Sequence, residues 1–345
     1  MAEPLVTRTD DGLYCPAGGF HIDPWNPVPR AVVTHAHADH ARSGCGRYLA
    51  AEPGRHLLRT RLGEPAVIDT IPYGEPVEQG GVRVSFHPAG HVLGSAQVRL
   101  ECRGEVWVVT GDYKLDPDPT CAPFEPVRCH TFITESTFGL PIYRWDAPAE
   151  LFAGVNAWWR ANAAAGRTSL LYAYALGKAQ RVMAGVDAGV GPIFTHGAVE
   201  KVTRAYRDSG VALPPTTPVG EVVPVRGKAK PWAGALVIAP PSAAGSVWAR
   251  KFEPASEAVA SGWMRVRGAR RRKAVDRGFV LSDHADWPGL LTAVRATGAT
   301  RVLATHGFAG VFARHLRELG LDADVTATRF GDEEEGAEPA GEAAP

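Results

Sequence analysis

Apolar positions in the first third of the chain fall in short runs. Segments 31–34, 82–86, 96–102 and 105–110 are rich in β-branched residues and bounded by Gly, Pro or Asp, a pattern that predicts strands joined by tight turns. From about Leu140 to Arg277 the pattern changes, and apolar runs alternate with segments of helical period. The run 168–175 precedes the amphipathic stretch 177–186, the run 192–197 precedes 198–210, and another apolar run covers 234–239. Such alternation predicts a separate α/β unit with a mostly parallel sheet. Downstream, 279–285 and 301–307 each read as a strand ending in a histidine loop, with helices expected at 287–296 and 310–319. No internal repeat is visible.

Composition narrows the class. At 345 residues the chain is long enough for about two domains of roughly 150 residues each. With 45% hydrophobic and 21% charged residues it is an ordinary globular sequence, which excludes collagen, coiled coil and general disorder. Lys+Arg and Asp+Glu balance at 37 each, but six of the acids lie in the last 15 residues, leaving 37 basic against 31 acidic residues over 1–330. The body is mildly basic, and the Gly/Ala/Pro-rich acidic tail is expected to be disordered. The N-terminus mixes acids and bases and has no apolar core, so it does not read as a signal peptide. The uncharged run Pro231–Ala249 is interrupted by Gly234, Pro240-Pro241 and Gly245, which predicts a buried strand plus loop rather than a membrane span. Five cysteines without a CxxC pair argue against a disulfide framework or a cysteine zinc site, and a cytoplasmic location is expected.

The histidines are unevenly placed. His35, His37, Asp39 and His40 lie within six residues directly after a predicted strand. In an extended turn, positions i and i+2 point the same way, so His35 and His37 can hold one metal, and Asp39 and His40 can hold a second once the chain bends. Imidazoles with a carboxylate form the donor set expected for Zn²⁺ or Mn²⁺. Completing two sites needs donors from elsewhere. His91 sits between Gly90 and Gly94, whose small size lets backbone crowd a site. Asp112 follows Gly111 at a predicted strand end, which alone reads more often as a turn.

Taken in order, HxHxDH, a GH loop and a GD step after a strand resemble the metallo-β-lactamase superfamily. Segments 134–139, 281–286 and 305–307 resemble the three motifs of its β-CASP nucleases. The resemblance implies an α/β fold: a metallo-β-lactamase αβ/βα sandwich with an inserted β-CASP α/β domain. Residues 1–139 would form its first part, 140–278 the β-CASP domain, 279–330 the C-terminal part and 331–345 the acidic tail. Segments 15–25, 175–181 and 278–287 look like the bacterial ligase-associated DNA damage response exonucleases, which are encoded beside an ATP-dependent DNA ligase and a helicase.

Carried over by motif position, the resemblance implies two divalent metals, Zn²⁺ or alternatively Mn²⁺. His35, His37 and His91 would bind the first, Asp39, His40 and His306 the second, and Asp112 would bridge them. It implies a metal-dependent phosphodiesterase, an exonuclease acting on DNA in repair by two-metal hydroxide attack. The alternative is a β-CASP ribonuclease processing RNA ends, because histidine at position 306 looks more like the RNA-processing branch than the cross-link repair branch. The catalytic set would be Asp39, His284 and Glu135. His284 is expected to contact the phosphate and protonate the leaving oxygen, with Glu135 orienting its ring. Asp23 matches the family's early aspartate and is read as support for a ligand histidine, with a helix- or turn-capping role as the alternative. His21, His56, His87, His130 and His315 read as spectators, as does His196, which imitates the third motif inside the expected insert.

Segment 262–278 carries Arg265, Arg267, Arg270, Arg271, Arg272, Lys273 and Arg277 against one acid, Asp276. Such a run is usually a solvated face. Leading into the His284 loop, it is read as contact with a phosphate backbone, with DNA favoured and RNA the alternative. Tyr143, Trp145 and Trp263 are candidates either to stack bases or to pack between domains. Functional association with a ligase and a helicase is a further expectation from the resemblance. No membrane partner is expected.

Overall fold

The computed structural model describes residues 4–223, 230–266 and 275–326. Arg267, Arg270, Arg271, Arg272, Lys273 and the tail 331–345 lie outside the described residues. Among those described, one compact unit holds 4–144 with 283–326 and a second holds 145–282.

The first unit opens with β1 (Thr7–Thr9), β2 (Gly12–Cys15), β3 (Phe20–Ile22), β4 (Arg30–Val33), β5 (Arg47–Ala51), α1 (Arg55–Leu62) and β6 (Ile68–Ile71), the strands lying side by side in chain order. Next come β7 (Pro76–Gln79), β8 (Val82–Pro88), β9 (Ala96–Cys102), β10 (Glu105–Val109) and β11 (Thr131–Glu135), which begin a second sheet.

The chain then builds the second unit. Its elements are α2 (Pro148–Ala164), β12 (Thr168–Tyr172), α3 (Lys178–Gly185), β13 (Ile193–Thr195), α4 (Gly197–Asp208), β14 (Thr217–Pro218), β15 (Leu236–Ala239), α5 (Val247–Arg250), β16 (Ala255–Ala260) and β17 (Arg277–Phe279). The strands pair in the order β14-β13-β15-β12-β16-β17, every described pair parallel. Both faces of a parallel sheet are buried, which is why its strands are uniformly apolar rather than alternating. Leu171, Leu236 and Ile238 face one core with Trp158, Trp159 and Val182, while Leu170, Tyr172 and Val237 face another with Trp232 and Phe252.

Back in the first unit, α6 (Trp287–Thr297), β18 (Arg301–Thr305), α7 (Ala309–Glu318) and β19 (Asp322–Val325) complete its second sheet, in the order β19-β18-β11-β10-β9-β8-β7. Alternation along β10 divides two cores. Trp107 and Val109 join Phe20, Ile22 and Val32 of the first sheet, whereas Val108 joins Phe132 and the helix residues Leu290, Phe312 and Leu316. Helix, sheet and sheet are thereby layered around two apolar cores, a mixed α/β architecture.

One expected strand is shorter than its apolar run. β17 stops at Phe279, because Leu281 N–H turns back to the Phe279 carbonyl at 3.0 Å. The run 231–249 is a strand, a loop and a short helix, and among the described residues no helix is long and apolar enough to cross a membrane. Cys15, Cys45 and Cys129 are buried, Cys102 and Cys121 half-buried, and none of the five forms a disulfide.

Candidate metal centre

Strand direction gathers the chemistry of the first unit. β8 and β10 both run antiparallel to β9, and β10, β11 and β18 are mutually parallel neighbours. Their carboxyl ends therefore lie along one edge, and there the chain carries His91, Asp112, Glu135 and His306. β4 delivers His35 two residues past its end, where the Thr34 carbonyl accepts from Ala96 N–H at 2.9 Å and ties the two sheets together.

His37 Nδ1 lies 3.0 Å from Nε2 of both His35 and His91. Asp112 Oδ2 is 3.5 Å from His35 Nε2 and 3.7 Å from His91 Nε2. Donors on a tetrahedron with metal bonds of ~2.0–2.1 Å are separated by about 3.3 Å, so four atoms at these spacings suit one divalent ion. Burial, with neighbouring imidazoles adding to it, holds His35 and His91 well below the usual histidine range, which keeps both rings neutral with a lone pair to donate.

A second set shares Asp112. His40 Nε2 is 3.4 Å from Asp112 Oδ2 and 3.4 Å from Asp39 Oδ2, and the His306 ring stacks on His40 at 5.6 Å. His40 Nε2 is buried without a hydrogen-bond partner among the described residues. A buried nitrogen aimed between two carboxylates is what a metal would satisfy. Burial disfavours the charge on His40, yet Asp112, Asp39 and Asp23 outweigh it and raise the imidazole well above its usual range. Burial also works against Asp112, and His40 and His284 hold it well below the usual carboxylate range.

Beside these sets stands a third pair. His284 Nδ1 lies 3.0 and 3.1 Å from the two oxygens of Glu135, whose Oε1 also accepts from Tyr113 N–H at 2.7 Å. The Ala285 N–H to Tyr113 carbonyl bond of 2.6 Å holds the loop against the Asp112 turn, and the His284 ring is 4.7 Å from that of His91. Asp112, Glu135 and His284 are close enough to hold an ion themselves. With Nδ1 spent on Glu135, an imidazole–carboxylate pair accounts for the geometry better.

Glycine permits the crowding. A Cβ on Gly111, whose φ is +56°, would sit 2.4 Å from Thr34 Oγ1, and one on Gly90, at +73°, would sit 2.2 Å from the Lys114 carbonyl. His306 itself adopts φ 53°, a conformation unusual for a residue with a side chain, of the kind found at functional sites.

The structure thus brings His35, His37, Asp39, His40, His91, Asp112, Glu135, His284 and His306 together. Arg265 is engaged within the second unit, its guanidinium 3.2 Å from Asp146. Tyr143 is buried against Phe138 and Phe308, so it offers no open face to a base. His196 caps α4, its Nδ1 accepting from Ala198 N–H. Asp23, read from the sequence as support for a ligand histidine, has Oδ2 2.7 Å from His40 Nδ1, but the other groups that orient the ligands were not read there. They are the Thr34 and Thr305 hydroxyls, each 3.0 Å from Nδ1 of the next histidine, and the Asp283 carbonyl, 2.9 Å from His91 Nδ1. The repeated Thr-His step was the available signal.

No protein-family model matches the chain. It is 34% identical over 323 residues to a probable DNA ligase of Opitutus terrae, a match covering 93% of this chain and 31% of that protein. Over 124 residues, 35% of the chain, it is 32% identical to endoribonuclease YSH1 of Saccharomyces cerevisiae. Over the same length it is 30% identical to cleavage and polyadenylation specificity factor subunit 3 of Dictyostelium discoideum. The homology supports the nuclease superfamily. The matches cover 15% and 16% of those two proteins, so the chain spans under a third of each relative. A crystal structure of a protein of unknown function from Enterococcus faecalis shares the fold, with TM-score 0.54 at 12% identity over 80% of this chain and 74% of that one. His35, His37, His91 and Asp112 lie close enough together to hold one metal ion.

Proposed function

We propose that the chain is a two-metal phosphodiesterase of the metallo-β-lactamase/β-CASP type, an exonuclease that trims DNA ends during repair. The observation that carries this reading is the junction of two donor sets at Asp112, flanked by the His284–Glu135 pair. His35, His37 and His91 would hold one Zn²⁺, Asp39, His40 and His306 the other, with Asp112 between them. When bound, such ions polarise phosphoryl oxygens and make water a competent nucleophile near neutral pH.

The chain's own groups do the rest. Asp112 and Asp39 would supply negative charge to offset that of two bound dications. Glu135 accepts the Nδ1 proton of His284, which leaves Nε2 to carry a proton to the departing oxygen; burial of the pair keeps bulk water from competing for it. Residues 140–278 would be the β-CASP insert, and Arg267, Arg270, Arg271, Arg272 and Lys273 would contact the nucleic-acid backbone.

DNA is favoured because the similarity that runs along nearly the whole chain is to a protein named a probable DNA ligase, whereas the endoribonuclease match covers about a third. Functional association with an ATP-dependent DNA ligase and a helicase belongs to this reading as a proposal. RNA-end processing is the second reading, favoured by those same endoribonuclease relatives.

The deciding experiment is a cleavage assay with Zn²⁺ or Mn²⁺ on end-labelled single-stranded DNA, duplex DNA and RNA of one sequence, run beside an Asp39→Ala/His40→Ala variant. Progressive loss of nucleotides from DNA ends, absent in the variant, is expected. Preferential RNA cleavage would move the protein to the second reading, and variant-insensitive activity would remove the metal centre from the chemistry.

A further inference from the structure

We propose that Arg55 is a substrate contact, a fixed guanidinium that receives a backbone phosphate of the bound nucleic-acid strand beside the metal centre. The inference rests on the nuclease reading above and adds to it a binding residue in the first unit.

β4, β5 and β6 are parallel neighbours, so their carboxyl ends share one edge. β4 delivers His35 there. β5 runs into the turn Glu52–Gly54 and then into Arg55, the first residue of α1. That turn is pressed against the His91 loop: a Cβ on Gly94, whose φ is +73°, would sit 2.1 Å from Gly54 Cα. Just past β6, the Tyr73 hydroxyl donates to the Ser95 carbonyl at 3.0 Å. The ends of both strands are therefore seated on the segment that carries His91.

Arg55 is exposed, yet its head group is held. Nε donates to Thr70 Oγ1 at 3.0 Å and Nη2 donates to the same oxygen, which sets the guanidinium over the end of β6. Neighbouring strands lie about 4.8 Å apart, so this position is two spacings, about 10 Å, along the edge from β4. Thr70 takes two of the five guanidinium N–H groups and, being neutral, fixes the cation without cancelling its charge.

Other exposed arginines of the unit lie against acids: Arg47 on Asp69, Arg83 on Glu101 and Arg314 on Glu318. Among the described residues Arg55 has no such ion pair, even with Glu52 in the adjoining turn. α1 carries Arg55, His56, Arg59 and Arg61 and no acid. Arg59 is spent on the end of the helix, its Nη1 donating to the carbonyls of Gly63, Glu64 and Ala66. Arg55 stands at the start, where the helix dipole disfavours a cation, so helix stability does not account for it. A planar, pinned guanidinium with donors to spare is the geometry that phosphate recognition uses.

The test is affinity for a labelled single-stranded oligonucleotide, followed by fluorescence anisotropy over a range of salt, with Zn²⁺ present and in a His284→Gln background that suppresses cleavage. Arg55→Gln keeps a donor for Thr70 and is expected to weaken binding about 3–10-fold. It should also flatten the slope of log affinity against log salt by about 0.7, the share of one phosphate contact. Arg55→Lys keeps the charge and should keep the slope. Arg47→Gln, at the amino end of β5, should match the parent protein. A residue that only fastens α1 to β6 would change thermal stability and not the slope. An unchanged slope in Arg55→Gln would thus overturn the inference and leave the nuclease reading intact, and a Lys variant with the Gln slope would do the same. A parent protein that binds no oligonucleotide at any salt would overturn both. If Arg55→Gln does not fold, phenylglyoxal labelling of the wild type decides: bound oligonucleotide should slow modification of Arg55, and equal labelling with and without it would refute the contact.

Discussion

Glu135 and His284 stand 149 residues apart in the chain and meet with Nδ1 3.0 and 3.1 Å from the two carboxylate oxygens. The carboxylate is buried and has a second donor, Tyr113 N–H, so it cannot swing away from the ring. An imidazole gripped through one nitrogen has its tautomer and its plane fixed, which leaves the other nitrogen poised for proton transfer.

Substituting this pair should separate chemistry from metal binding. His284→Gln is expected to lower turnover by about 10²–10⁴-fold while metal content is unchanged. Glu135→Gln should lose a comparable factor, because its amide can donate to Nδ1 and invert the tautomer. Steady-state rates with metal analysis of the same samples check both. Full turnover in His284→Gln with metals retained would end its assignment as the acid.

Gly111→Ala tests the close approach of the Asp112 turn. Its Cβ would meet Thr34 Oγ1 at 2.4 Å in a left-handed backbone. The left-handed conformation alone costs roughly 1–2 kcal/mol, and the displaced turn would carry Asp112 away from both donor sets. Denaturant unfolding should show at least that loss, and metal titration should show weakened binding at both positions. Wild-type stability and metal affinity would mean the turn has room to spare.

Metal removal should be visible in stability. At free metal about 100 times its dissociation constant, binding stabilises the folded state by roughly 2.7 kcal/mol. For a unit of this size that raises the melting midpoint by about 5–10 °C. Calorimetry before and after chelation, with Zn²⁺ restored in a third sample, provides the check. A midpoint indifferent to chelator would contradict a folded-state metal site.

Thiol reactivity should follow burial. Burial pushes the Cys129 thiol up to about 11 and also raises Cys15. A raised thiol stays neutral at pH 8, so alkylation of the native protein should spare both and label the half-buried Cys102 and Cys121 first. The linked stability is complete below about pH 9, where the unfolded thiol is still protonated, and declines as pH rises toward 11 through the Cys129 value. Peptide mapping after alkylation at pH 8 and pH 10 measures the first effect. Fast native labelling of Cys129 at pH 8 would contradict the buried site.

The local chemistry was legible along the chain. Three histidines and an aspartate at alternating positions after a strand need no tertiary information, because a strand end imposes the spacing of its side chains. The run-length pattern likewise announced the parallel α/β unit, since a sheet buried on both faces must be apolar throughout. What could not be read, Asp23 apart, was the hydrogen bonding behind the ligands. Thr34, Thr305 and the Asp283 carbonyl act through distances of about 3 Å between segments as far apart as His91 and Asp283, and such distances follow from how strands are ordered and layered. The basic strip shows the converse: a charge run is conspicuous in a sequence, yet its partner is a matter of packing, and Arg265 turns to Asp146. Residue types declare which chemistry is available. Strand direction and sheet packing decide which atoms meet, because a contact between distant segments depends on the whole chain's path.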